Sequence, residues 1–136
     1  MDKFGQNRVS VLTHVNFDFN LSYKPLPSDK PMDQQLVLFY KNPFDPLISI
    51  WADISVTSLF PTFSAINVLT DPEVANSIHN IISNPEHEAY PFLKKTFDDR
   101  PFILFYQNGK IVHIYEGPLT SDDLISYSLS LMSLSG

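Results

Sequence analysis

A chain of 136 residues with 43% hydrophobic and 13% aromatic content is long and apolar enough for one domain with a two- or three-layer core, which argues against a disordered chain. A formal net charge of −6, with no cluster of Lys or Arg, argues against a nucleic-acid partner. No apolar run approaches the roughly 20 residues of a membrane span, and the complete lack of cysteine removes disulfides, thiol catalysis and thiolate metal sites together. The first residues, Met-Asp-Lys-Phe-Gly-Gln-Asn, lack a basic stretch followed by an apolar one, so no signal peptide is expected.

From the N-terminus, Val9–Phe19 reads as a strand, because Val9, Val11, Val15, Phe17 and Phe19 share one parity. Residues 21–32 carry Pro25, Pro27 and Pro31 and read as a connecting loop, either a surface linker or a segment that pairs with a neighbour. Leu36–Tyr40 is continuously apolar, as in a central strand covered on both faces. Beyond the turn at residues 41–46, the spacing of Leu47, Ile50, Trp51, Ile54 and Ser58 predicts a helix, with Asp45 as its cap and Pro46 in its first turn.

Phe63–Leu69 is strand-like, and Asp71-Pro72-Glu73 then opens a helix whose apolar stripe is Val74, Ile78, Ile81 and Ile82. Asn84-Pro85 interrupts that helix, and residues 86–97 can form a second one with Ala89, Phe92 and Leu93 inward. The strongest local signal follows. Phe102–Tyr106 and Ile111–Tyr115 flank Asn108-Gly109, the pair that supplies the two positive-φ positions of a tight hairpin. Pro101 heads the first of these strands, where its missing N–H costs no ladder bond. Thr120-Ser-Asp-Asp begins a last helix with Leu124, Ile125, Ser128, Leu131 and Met132 on its inner face, extended by Leu129 and Leu134.

Candidate reactive groups are sparse. His14, His79, His87 and His113 are widely separated; only His79 and His87, with Glu86 and Glu88, can approach, and exposed helix positions account for them better than a metal site. Asp98-Asp99-Arg100 reads as a solvated turn, the serines of residues 126–135 have no histidine base at a readable spacing, and there is no glycine-rich phosphate loop. No catalytic group, cofactor site or metal site is therefore expected.

The order β-loop-β-α-β-α(α)-β-β-α, with proline ahead of the hairpin, resembles the thioredoxin-like family over roughly residues 34–134. Leu36–Tyr40 is similar to the strand before that family's Cys-Gly-Pro-Cys motif, Phe44-Asp45-Pro46-Leu47 stands in the motif's place, and Pro101 matches the family's cis-proline. The resemblance implies an α/β, three-layer fold: a central mixed sheet flanked by helices, with an enlarged helical connection before the cis-proline strand. It divides the chain into an N-terminal strand and proline-rich connecting loop (1–35) and a thioredoxin-like part (36–136) of one globular domain.

The departures are chemical. Phe44 and Leu47 replace the two thiols, and Leu38 replaces the buried acid that shuttles a proton to the second. Thiol–disulfide exchange needs a thiolate nucleophile, so the resemblance implies a redox-inactive member that is not an enzyme. It also implies that the backbone at Arg100 and Pro101, beside Phe44 and Pro46, is where an extended peptide would dock; the alternative is that Phe44 and Leu47 fill that place by packing. The sequence further resembles thioredoxin-like proteins of large nucleocytoplasmic DNA viruses, in residues 100–106 and 122–131. On that resemblance the expectation is a minor structural protein of a capsid or virion, in contact with other protein subunits, capsid proteins among them, and located in the virion or host cytoplasm. The alternative is a peptide-binding or chaperone-type adaptor, like the redox-inactive domains of disulfide isomerases.

Overall fold

In the computed structural model, the residues described are 9–18, 21–23, 34–42, 44–57, 62–94, 101–115 and 120–135. Strands β1 (Ser10–Val11), β2 (Gln34–Tyr40), β3 (Thr62–Asn67), β4 (Phe102–Gln107) and β5 (Lys110–Ile114) form one sheet in the order β1-β3-β2-β4-β5. β1 and β2 both run parallel to β3, whereas β4 is antiparallel to β2 and β5. β2 takes the centre because only a strand flanked on both edges and covered on both faces can bury a run of successive side chains, here residues 35–39.

Alternation along β2 sorts the core into two layers. Leu36 and Leu38 face one way, with Ile103, Phe105, Phe63 and Ala65, onto helices α1 (Pro46–Thr57) and α4 (Ser121–Ser135), which contribute Leu47, Ile48, Trp51, Ile54 and Leu124. Val37 and Phe39 face the other way, with Leu104, Tyr106 and Ile66, onto α2 (Pro72–Ile82) and α3 (Tyr90–Leu93). The result is the three-layer mixed-sheet architecture expected from the sequence.

The hairpin is formed as its Asn-Gly pair requires. Asn108 has φ 53° and Gly109 φ 83°, with Gln107 opposite Lys110. The register then slips between Phe105 and Tyr106, leaving Val112 as the extra residue of a β-bulge in edge strand β5. At α4 the Thr120 hydroxyl caps the helix by accepting from the Asp123 amide (3.3 Å), and it donates to the Asp123 carboxylate in a bond between the two side chains (2.5 Å).

Three expectations are corrected. Val9–Phe19 is not one strand: β1 is two residues long, and a 3-10 turn at His14–Asn16 follows, with the Asn16 carboxamide oxygen accepting from the Thr13 amide (3.1 Å). That local bond competes with the ladder, and it leaves Val15 exposed while Leu12 turns inward. The second middle helix is a single turn, because Asn84 and His87 side chains accept the amides of Glu86 and Ala89 and hold residues 84–89 in turns. Leu129 points to solvent rather than extending the inner face of α4. Asp71 does stand at the head of α2, but its carbonyl rather than its side chain takes the amides of Val74 and Ala75. Expectations for residues 1–8, the proline-rich 24–33, Ser58, 95–100 and 116–119 fall outside the described residues.

Residues 12–18 and 21–23 form a strap over the α2–α3 face, laying Leu12, Phe17, Leu21 and Tyr23 into that core layer. The strap runs from the end of β1 to the hairpin tip, where the Tyr23 amide donates to the Gly109 carbonyl (2.8 Å). The Tyr106 hydroxyl donates to the Leu21 carbonyl (2.7 Å), and Phe17 packs within 6.2 Å of Tyr23, Phe39 and Tyr106. Leu21 is fully buried with φ 62°, a left-handed conformation that costs about 1–2 kcal/mol and that burial of its side chain offsets by a similar amount.

Two buried phenols separate paired from unpaired polar groups. Tyr106→Phe leaves the Leu21 carbonyl without its donor and is expected to cost about 1–3 kcal/mol in urea unfolding. The Tyr127 hydroxyl is buried without a hydrogen-bond partner, so Tyr127→Phe is expected to be neutral or stabilising in the same assay. Burial holds both phenols above their ordinary range, Asp18 adding to the effect at Tyr106 and Tyr115 at Tyr127. A raised folded-state value means that the native chain keeps protons the unfolded chain has begun to lose. Stability is thus fully present below about pH 10 and falls as pH rises beyond it. Tyr106→Phe should flatten that alkaline loss.

Candidate functional site

One end of the sheet collects most of the residues that the sequence singles out. Phe39 pairs with Phe102 and the two rings stack at 4.8 Å, so Pro101, at the head of β4, lies beside the end of β2. The Val68 amide donates to the Tyr40 carbonyl (2.8 Å), which carries the β2–β3 ladder one step further at this same end. β1 runs parallel to β3 and ends here too, its ladder continued by the Leu12 amide on the Ala65 carbonyl (2.8 Å). β5 returns to it, the Tyr115 amide donating to the Ile103 carbonyl (3.0 Å).

The turn from β2 into α1 is fixed by short polar side chains. Asn42 accepts the Phe44 amide on its side chain (3.0 Å) and the Asp45 amide on its carbonyl (3.1 Å). Asp45 then caps α1, its carboxylate accepting the Leu47 amide (2.9 Å) and its carbonyl the Ile48 amide (3.0 Å), as the sequence predicts. This wiring sends the two family thiol positions in opposite directions. Leu47 goes into the core at 3% exposure, whereas Phe44 is 79% exposed. The alternative in which both residues plug the site is therefore corrected: Leu47 does so and Phe44 does not. Leu38, at the position of the family's buried acid, is fully buried among apolar side chains.

Of the four residues proposed for partner binding, Phe44, Pro46 and Pro101 thus share one end of the sheet, Phe44 and Pro46 exposed and Pro101 half-buried. Arg100 lies outside the described residues. Two residues that the sequence did not single out belong to the same end. Leu69, in the turn after β3, is 68% exposed, and Val15, in the turn after β1, is 44% exposed. A usable signal was present for both: each is an apolar residue just past the end of a parallel strand, where the alternation that buries side chains stops.

Chemically this end offers apolar contact and, in a chain without cysteine, no thiol. Among the described residues, the phenols of Tyr106, Tyr115 and Tyr127 are displaced upward. Burial, and secondarily the Asp123 carboxylate, raise Tyr115, whose ring packs 4.7 Å from that of Tyr127. A raised phenol stays neutral and is a poorer nucleophile at neutral pH. His79 and His113 are exposed, and among the described residues no three His, Asp or Glu side chains come together as a metal site.

No family model matches the sequence, and no curated protein matches it. The structure, however, is similar to several solved ones. Human ERp44 (form I) superposes with a TM-score of 0.58 at 17% identity, over 91% of this chain and 29% of that chain. This chain therefore spans less than a third of ERp44. Thioredoxin from Malassezia sympodialis gives a TM-score of 0.54 at 12% identity over 92% of this chain and 91% of that one. A chain of the ferredoxin:thioredoxin reductase–thioredoxin f2 complex gives 0.56 at 10%, over 92% and 96%. Together with the strand order β1-β3-β2-β4-β5, these likenesses establish that this cysteine-free chain has the thioredoxin-like fold.

Proposed function

We propose that this chain is a non-catalytic, protein-binding domain, and that it docks its partner on the sheet end built from Phe44, Pro46 and Pro101. The observation that carries this reading is the fate of the two thiol positions. A large aromatic side chain left 79% exposed in a turn held by four side-chain and backbone hydrogen bonds is costly in water and gains most by being covered. Exposed Pro46 and half-buried Pro101 add rigid apolar surface beside it. With no sulfur nucleophile anywhere in the chain, the site supplies contact and no disulfide exchange.

The setting we assign, on the sequence resemblance, is a minor structural component of the capsid or virion of a large DNA virus. The same face would serve a redox-inactive adaptor, so the two readings part on where the chain resides. Fractionating particles from soluble extract of the native source and quantifying this chain by mass spectrometry is the test. Co-purification with particles at a fixed stoichiometry is expected. Free monomer confined to the soluble fraction would move the assignment to the adaptor. Independently, the purified protein should not accelerate insulin reduction by dithiothreitol; acceleration above a heat-treated control would overturn the non-catalytic reading.

A further inference from the structure

The hairpin tip, at the opposite end of the sheet from Phe44, carries a chemistry that the fold both permits and restrains. Asn108 is the only asparagine of the chain that is followed by glycine. Its carboxamide carbon is a weak electrophile, placed so that the backbone nitrogen of the next residue can close a ring on it. Glycine leaves that nitrogen unshielded, because it has no Cβ. Asn108 is exposed and Gly109 half-buried, so the pair meets water on one side. On the other side lies the strap, close enough that a Cβ on Gly109 would stand 2.7 Å from the Tyr23 carbonyl oxygen.

We propose that Asn108 is a site of spontaneous covalent modification, an intramolecular deamidation that ends in isoaspartate and releases the strap. Base removes the Gly109 amide proton, and the nitrogen attacks Cγ of Asn108. A C–N bond forms, the Cγ–Nδ2 bond breaks, and ammonia leaves. Water then opens the cyclic imide. Breaking the new bond at Cγ gives aspartate in an ordinary chain. Breaking the original peptide bond gives isoaspartate, with the main chain rerouted through Cβ and Cγ. The reactants are the chain and water, and no electrons are exchanged.

The native hairpin slows the step. Ring closure turns the 108–109 peptide about the Asn108 Cα–C bond, whereas the paired hairpin holds Asn108 at φ 53° and Gly109 at φ 83°, with Gln107 opposite Lys110. The Tyr23 amide on the Gly109 carbonyl (2.8 Å) and the Tyr106 hydroxyl on the Leu21 carbonyl (2.7 Å) tie the strap to this hairpin. Modification therefore proceeds through the opened tip, a local fluctuation whose population these ties set. The product then prevents closure. Isoaspartate adds a main-chain carbon to a tight loop whose length fixes the register, and its carboxylate makes a chain of charge −6 more negative. Gly109 is no longer carried to its place against Tyr23, and Phe17, Leu21 and Tyr23 lose their hold on the α2–α3 face. Unlike a fluctuation, this change persists and accumulates with the age of the chain. It is independent of the docking reading.

The test incubates the purified full chain over weeks at neutral and at mildly alkaline pH. Peptide mapping by mass spectrometry and labelling with isoaspartyl methyltransferase locate and quantify the product. Isoaspartate is expected at position 108, sooner at the higher pH, because the attacking nitrogen must lose its proton. Tyr106→Phe removes one tie and is expected to speed its formation about fivefold or more, the change in open population that one lost buried hydrogen bond brings. Asn108→Gly removes the electrophile and should abolish labelling, with circular dichroism unaltered. Isoaspartyl chains separated by ion exchange should be cut by chymotrypsin after Phe17 or Tyr23 about tenfold faster than fresh chain. Asn108→Asp, with the same charge on an ordinary backbone, should be cut as slowly as fresh chain. No isoaspartate at 108 in the native protein, when the urea-unfolded chain forms it, would overturn the proposal. Equal rates in Tyr106→Phe and the parent would overturn control by the strap. Equal cutting of isoaspartyl and fresh chains would overturn its release.

Discussion

Trp51→Ala is expected to lower the stability of the fold by about 3–5 kcal/mol, read as a shift of the urea midpoint followed by circular dichroism. Trp51 is fully buried in the layer between the sheet and α1, and its ring meets that of Phe63 edge-on at 5.0 Å. Its indole N–H donates to the Ser64 carbonyl (2.9 Å), a bond from helix to strand that no other apolar residue can replace. Truncation to alanine opens a cavity and withdraws that donor from a buried carbonyl, two costs that add. Trp51→Phe keeps much of the apolar contact and loses the donor, so about 1–2 kcal/mol is expected. Because Trp51 also holds α1 against the sheet, the alanine variant should loosen the turn that presents Phe44. A loss below about 1 kcal/mol would mean that α1 is not anchored through this residue.

Gly109→Ala is expected to cost about 2–4 kcal/mol by the same measurement. Gly109 has φ +83°, and a Cβ built on it would lie 2.7 Å from the Tyr23 carbonyl oxygen. The penalty therefore has two parts: the left-handed backbone, and displacement of a strap tied to this residue through the Tyr23 amide. The neighbouring change Asn108→Gly tests the first part alone, since glycine accepts φ 53° freely, and should change stability by less than about 0.5 kcal/mol. Equal effects at positions 108 and 109 would contradict the close approach of strap and hairpin tip.

The hairpin and the central strand were legible because their signals are local. Asn108-Gly109 fixes a turn by its own backbone preferences, and five consecutive apolar residues at 36–40 fit a central strand. The capped start of α1 was legible for the same reason, since Asp45 and Pro46 act within one turn. The strap was not. The alternation of Val9, Val11, Val15 and Phe17 mimics a strand, and the competing Asn16–Thr13 bond and left-handed Leu21 are choices that tertiary packing against Phe39 and Tyr106 stabilises. At the site, Phe44, Pro46 and Pro101 came from the motif positions they occupy. Leu69 stayed hidden because the apolar run appeared to continue the strand to residue 69, whereas pairing ends at Asn67 and leaves Leu69 in a turn. Val15 stayed hidden within the misread strand.

On the function proposed above, the cysteine-free sheet end around Phe44 holds another protein. Site-specific photo-cross-linking in the native source tests it most directly, with a benzophenone side chain placed in turn at positions 44, 69, 56 and 129, all exposed in the free chain. Cross-links to one and the same protein are expected from positions 44 and 69, which lie at the same end of the sheet, and none from 56 or 129. Cross-links from 56 or 129 with none from 44 would contradict it, and would put the partner on the helices instead of the strand ends.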